Sequence, residues 1–275
     1  MNNKTNRGIT IKKIRHIIIF KLLLIFSCNS IAGEFLANLS WQQADELIKT
    51  QTVIIPFAAG AKEHGPHLPM STDQIVMEYL LKQAAQSSQV IIAPAILHGW
   101  FPAFREYPGT EIADPTIFQN YVRSVAESLI KSGAQRIVFL NMGIHKATGL
   151  PLSIVARDIR ANHNIPTLVV SWDDLETEQA EQYYQQKRGG HADEGETSIL
   201  LHLRPDLVDM SKAKQNYRAN KTQKIGYSPG KFVREKENGV YGDPTLATPK
   251  KGQKILKIMT DNWLLALQQF AKIQL

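Results

Sequence analysis

The sequence is nearly without sulfur chemistry: 275 residues contain one cysteine, Cys28. A single thiol excludes an intrachain disulfide and a zinc site built from several thiolates. Acidic residues are missing from the N-terminal stretch, where Lys4, Arg7, Lys12, Lys13, Arg15 and Lys21 precede the first acid, Glu34. Long apolar runs are scarce as well. The longest candidate, from Ile17 to Phe26, is interrupted by Lys21 and is too short for a comfortable membrane span.

A basic, acid-free start followed by a short apolar stretch and the small residues of Ser30-Ile31-Ala32 reads as a secretory signal, with cleavage expected after Ala32. An uncleaved anchor and a lipid-anchored Cys28 are the alternatives. The expectation is therefore a periplasmic or secreted protein that meets a membrane only through residues 1–32, leaving residues 33–275 as a single domain. Removing that segment takes 32 basic residues to 32 − 6 = 26 against 25 acids, a net charge of +1 rather than +7. The high pI then carries no argument for a nucleic-acid partner, and none is expected. The mature chain would also lack any cysteine nucleophile.

What remains has ordinary globular proportions, 43% hydrophobic and 21% charged over the whole chain. Four Val/Ile-rich runs, Thr52 to Phe57, Gln89 to Ala95, Arg136 to Asn141 and Thr167 to Trp172, show little alternation and read as buried parallel strands. Helical patterns separate them: Asp73 to Ser87, Pro115 to Ser132 and Ala147 to Asn162. Further helices are expected from Glu194 to Leu203 and from about Pro249 to Phe270. The βαβαβαβ order predicts an α/β fold, a three-layer α/β/α domain around a mostly parallel central sheet. Residues 211 to 248 carry eight basic residues between Lys212 and Lys236 against only Glu235 and Glu237 nearby, and read as a long loop excursion, either solvated or a flap.

Parallel sheets bind ligands beyond the carboxyl ends of their strands. There the sequence places Lys62, Glu63, His64, His67 and Asp73 after the first run, His98, Trp100, Arg105, Glu106 and Tyr107 after the second, His145 and Lys146 after the third, and Asp173 and Asp174 after the fourth. His191, Asp193, Glu194 and Glu196 open the next helix. Imidazoles and carboxylates on one edge suit a divalent metal such as zinc or manganese. Spacing alone leaves ordinary roles equally open: a turn at Gly65-Pro66, or a capping box in which Asp193 caps a helix and Glu196 reaches back. Trp100, Phe104, Tyr107 and Trp172 are either pocket walls or core. Serine-hydrolase chemistry, which sets its nucleophile on a Gly-x-Ser-x-Gly turn, is not expected.

The string Pro56 to Asp73, PFAAGAKEHGPHLPMSTD, resembles the first motif of the creatininase (creatinine amidohydrolase) family, roughly Glu-Gln-His-Gly-Pro-His-Leu-Pro followed by an Asp. Tyr107-Pro108-Gly109-Thr110, Gly190-His191-Ala192 through Glu196-Thr197-Ser198, and Gly239-Val240-Tyr241-Gly242-Asp243-Pro244 resemble its later motifs in the same order, covering about residues 38 to 270. The resemblance implies a creatininase-like α/β/α fold, a homo-oligomer (commonly a hexamer), and hydrolysis of small, often cyclic amides at a two-metal site. It implies His64, Asp73 and Glu196 as ligands of one ion, Asp73 as the bridge to the other, and His191 as proton donor to the departing nitrogen.

Two positions depart from the pattern. Lys62 stands where the family carries a ligand Glu, and Gly143 stands where it carries a ligand His, with His145 two residues later as a substitute ligand. One ion is therefore expected rather than two, with Lys62 supplying fixed positive charge in place of the other. Glu194 or Glu63 is expected as general base or as support for the ligands, with an exposed helix-start carboxylate the preferred role for Glu194. The reading is a metal-dependent amidohydrolase working through metal-activated water on a small amide. A small-peptide hydrolase and an exported, non-catalytic metal- or ligand-binding protein are its rivals.

Overall fold

Five short parallel strands form the spine of the protein. The computed structural model describes residues 32–143, 145–217 and 238–273. Its strands are β1 (Glu34–Phe35), β2 (Thr52–Phe57), β3 (Val90–Ile92), β4 (Ile137–Asn141) and β5 (Thr167–Ser171). They lie in the order β1-β3-β2-β4-β5, every neighbouring pair parallel. The helices are α1 (Trp41–Ile48), α2 (Thr72–Ser87), α3 (Pro115–Lys131), α4 (His145–His163), the single turns α5 (Trp172–Leu175) and α6 (Glu178–Glu181), α7 (Glu194–Leu203) and α8 (Pro249–Ala271).

Every residue of β2, β3 and β4 is buried, which explains why those runs are apolar without a polar face. The pleat still sorts them. Val53, Ile55 and Phe57 face a core shared with α1, α3 and α4, whereas Ile54, Ile92, Val138, Leu140 and Val170 face one shared with α2, α7 and α8. The three expected layers follow.

Local signals set the helix ends. Asp114 caps α3 by accepting from the amides of Thr116 and Ile117, Pro115 occupies the first turn, and Gly133 at φ +102° stops the helix. Thr248 and Pro249 open α8 in the same way. The sheet gains one strand over expectation. β1 is two residues long and pairs with β3, Glu34 opposite Ile91. The signal segment with Cys28, and residues 218–237 of the basic excursion, lie outside the described residues.

From central β2 the chain passes through α2 to β3 on one side, then crosses by α3 to β4 on the other. The carboxyl ends of β2 and β4 are therefore neighbours whose following helices, α2 and α4, cover opposite faces. Such a reversal opens a crevice at the strand ends, and the segments after β2 and β4 line it.

Candidate metal centre

Between Phe57 and Thr72 the chain forms a tight loop rather than running straight into α2. Gly65 sits at φ +69° and its amide donates to Glu63 Oε1, while the Lys62 amide donates to the Met70 carbonyl at 3.0 Å. This closure buries Lys62, Glu63 and His64 side by side. His64 Nδ1 lies 2.8 Å from the Lys62 carbonyl. A carbonyl only accepts, so Nδ1 carries the proton. His64 Nε2 then faces Asp73 Oδ1, in the first turn of α2, at 2.8 Å. An imidazole lone pair and a carboxylate oxygen set against each other require a proton or a cation between them.

The other Asp73 oxygen, Oδ2, lies 2.7 Å from Lys62 Nζ, with both side chains almost wholly buried. Burial alone would raise the Asp73 pKa, but the Lys62 charge and His64 outweigh it and hold the carboxyl below its ordinary value.

The second half of the site comes from the entrance to α7. Gly190 at φ +137° and Ala192 at φ +47° turn the chain sharply on either side of His191. A left-handed alanine is strained and persists only where its surroundings hold it. Here His191 and Tyr241 exchange backbone hydrogen bonds at 3.3 and 2.8 Å. The turn aims His191 inward. Its Nε2 lies 3.0 Å from Glu63 Oε2, and its ring packs 4.4 Å from Phe104 and 5.0 Å from His64, centroid to centroid.

With its proton on Nε2 and shared with Glu63, His191 presents the Nδ1 lone pair toward Glu196 Oε2, 3.9 Å away. The carboxylate–imidazole pair is the arrangement that orients ligating histidines. His64, His191 and Glu196 each offer one ligand atom, all within 4.8 Å of one another. Two imidazole nitrogens and a carboxylate oxygen suit zinc or manganese. Burial, with Asp193 adding its charge, raises the Glu196 pKa against the pull of His64.

The late glycine segment is the scaffold of this corner. A side chain on Gly239, at φ +73°, would overlap the Glu63 carboxylate, and one on Gly242, at φ +140°, would strike Asp193 and Gln186.

The family model for creatinine amidohydrolase matches residues 37–267. The chain belongs to this family. Its similar relatives include the creatinine amidohydrolase of Pseudomonas putida, 23% identical over 82% of this chain and 92% of that protein. The mycofactocin precursor peptide peptidase of Mycolicibacterium smegmatis is 26% identical over 76% of this chain and 81% of its own length. Among solved structures, a creatininase mutant of Zn-Zn type superimposes with a TM-score of 0.74 at 22% identity, covering 86% of this chain and 98% of that one.

Within this creatininase-family frame the structure brings together Lys62, Glu63, His64, Asp73, His191 and Glu196. His191 joins the ligand candidates. Glu194 does not join the site. Expected as an exposed helix-start carboxylate or a base, it is buried, accepts from the amides of Gln185 and Gln186 at 2.8 and 2.7 Å, and pairs with Lys251 of α8. Glu196 does not close a capping box. It accepts from the Ala192 amide at 2.5 Å, and Asp193 alone caps α7. His67 bonds Thr197 at 2.8 Å, and burial lowers its pKa to about 4, so it is a neutral tie between the loop and α7. His98 lies on the surface beside Glu111. The side chain of His145 lies outside the described residues.

One exclusion made from sequence is corrected. Gly226-Tyr227-Ser228-Pro229-Gly230 does fit Gly-x-Ser-x-Gly. It falls outside the described residues, in the basic excursion, and the sequence before it holds no apolar run of the kind that precedes such a turn.

A cleft of about 780 Å³ opens onto the site, lined by Lys62, Asp73, Phe104, Trp172, His191 and Glu196 among others. Of the four aromatic candidates, Phe104 and Trp172 form its walls. A further wall group, without any signal in the sequence, is Glu176, whose carboxylate accepts from Trp172 Nε1 and from the Tyr184 hydroxyl.

Burial lifts the Glu176 pKa to about 7. Because the folded value exceeds the unfolded one, the folded state keeps its proton longer, and stability falls as pH rises from about 4.5 to 7. Glu176→Gln keeps an acceptor for Trp172 and removes this titration. The variant's melting temperature relative to wild type is expected to rise between pH 5 and pH 8, by the equivalent of about 2 kcal/mol once partial solvent screening is allowed for. Parallel melting curves across that range would refute the assignment.

Proposed function

We propose that this protein is a metal-dependent hydrolase of C–N amide bonds, and that export by its basic N-terminal segment places it outside the cytoplasm. The observation that carries the reading is the convergence of His64, His191 and Glu196 at the carboxyl edge of the sheet, beside a cleft whose lining includes Lys62, Asp73, His191 and Glu196. A divalent cation held there supplies Lewis-acid polarisation of an amide carbonyl and makes water a usable nucleophile near neutral pH. The rest falls to the chain. Asp73 and His64 fix each other's orientation, and Glu63 holds the His191 ring, which either completes the ligand set through Nδ1 or, left unligated, passes a proton to the departing nitrogen. Phe104 and Trp172 exclude water from the cleft wall.

A second substrate class, small peptides, is favoured by the cleft itself. Its volume of about 780 Å³ exceeds the needs of a single small heterocycle, and Lys187 and Arg188 on its lining suit a substrate carboxylate. The peptide peptidase among the relatives supports the same reading.

The test is turnover on a panel of creatinine, cyclic imides and di- and tripeptides, before and after chelation, with metal content measured at each stage. Hydrolysis is expected to vanish on chelation and return with zinc or manganese. Undiminished turnover by metal-free protein would sink the proposal, and metal binding without turnover across the panel would leave a binding protein.

A further inference from the structure

We infer that this site holds a single metal ion, and that the Lys62 ammonium permanently occupies the position of a second cation on Asp73. This rests on the metal-dependent reading and sharpens it. A carboxylate that bridges two cations offers one oxygen to each. Asp73 gives Oδ1 to His64 Nε2 at 2.8 Å, on the side where His191 and Glu196 also present ligand atoms. It gives Oδ2 to Lys62 Nζ at 2.7 Å, an ion pair whose side chains are 4% and 2% exposed.

Among the described residues, the group of three or more side chains placed to hold an ion is His64, His191 and Glu196, and Lys62 is not accompanied by another. The ammonium lies 5.8 Å from the centre of the Phe101 ring and 5.4 Å from that of Phe104. A side chain at Gly143, after β4, would meet the same Phe101 ring at 3.0 Å. Aromatic faces accommodate an organic cation and offer nothing to a second divalent ion. The comparison is pointed, because a solved relative of the same fold is of Zn-Zn type.

The substitution has chemical content. A bound ion brings exchangeable ligands, whereas an ammonium brings a fixed single charge and hydrogen-bond donors. Lys62 reaches the cleft surface, so it can donate to the oxygen of an amide carbonyl as that oxygen gains negative charge. It does so without any requirement for a second metal in the medium. Donors placed in this way typically contribute about 10²-fold or more to kcat.

Metal stoichiometry decides the matter. The full chain, saturated with zinc or manganese and freed of loosely bound ions, is expected to retain one ion per chain by mass spectrometry of its metals. Two tightly bound ions overturn the inference while leaving metal-dependent hydrolysis standing, whereas no bound ion and no hydrolysis defeat the proposed function itself. Lys62→Met is expected to keep its one ion and lose about 10²-fold in kcat with little change in KM, and Lys62→Arg to recover part of that loss. Unchanged kcat in folded Lys62→Met also overturns the inference. Should Lys62→Met fail to fold, the wild-type stoichiometry and Lys62→Arg still carry the decision.

Discussion

Replacing Glu196 by glutamine is expected to release the metal and cut amide hydrolysis by about 10³-fold. The carboxylate is the only anionic member of the His64, His191, Glu196 group, so glutamine removes the charge that a divalent ion needs while preserving size. It also preserves the fold locally, since an amide oxygen can still accept from the Ala192 amide as Glu196 Oε2 does. Loss of the ion forfeits several kcal/mol of transition-state stabilisation, and each 1.36 kcal/mol is tenfold in rate. Metal analysis and kcat/KM on the best substrate of the panel measure both. His191→Asn is the informative companion. If His191 is a ligand, its loss empties the site as Glu196→Gln does. If it relays a proton, the variant keeps its metal and loses kcat together with one limb of the pH profile. Full metal content and full activity in Glu196→Gln would dismiss the site.

The strands were legible because β2, β3 and β4 are buried on both faces, so their sequences carry uninterrupted apolar runs bounded by turns. β1 was not, because two residues carry no pattern. His64, Asp73 and Glu196 were legible through motif resemblance, and the structure places them close together. The pairing of Glu63 with His191 was not. It spans 128 residues and depends on a left-handed Ala192 and a backbone bridge to Tyr241, neither of which has a signature in residue type. Glu194 was misread for a physical reason: an acid in a first helical turn ordinarily faces water and the helix dipole, but here α8 lays Lys251 over it. Glu176 and Tyr184 were missed because the stretch between β5 and α7 contains only single-turn helices, too short to show a period.

That contact between α7 and α8 sets up the largest expected loss of stability. Gly252, in the first turn of α8, lies against the α7 backbone, and a Cβ there would overlap the Ser198 carbonyl and come within 2.8 Å of the Ile199 amide nitrogen. Backbone cannot rotate aside as a side chain can, so Gly252→Ala must push the helices apart. The neighbouring ties would strain with it: the Thr248 amide donates to Ser198 Oγ at 3.1 Å, and Lys251 pairs with Glu194. Overpacking of this kind costs about 3 kcal/mol, a fall of roughly 6–12 °C in Tm for a domain of this size. Lys250→Ala, an exposed substitution two residues earlier, is expected to change Tm little. The effect should also reach the metal. Glu196 and its cap Asp193 ride on the first turn of α7, so a displaced α7 moves one ligand relative to His64 on the opposite loop. Metal affinity is then expected to weaken in Gly252→Ala below its melting range, although residue 252 lies outside the site. Unaltered affinity with a lowered Tm would show that the α7 entrance is held by the His191–Tyr241 bridge rather than by its packing on α8.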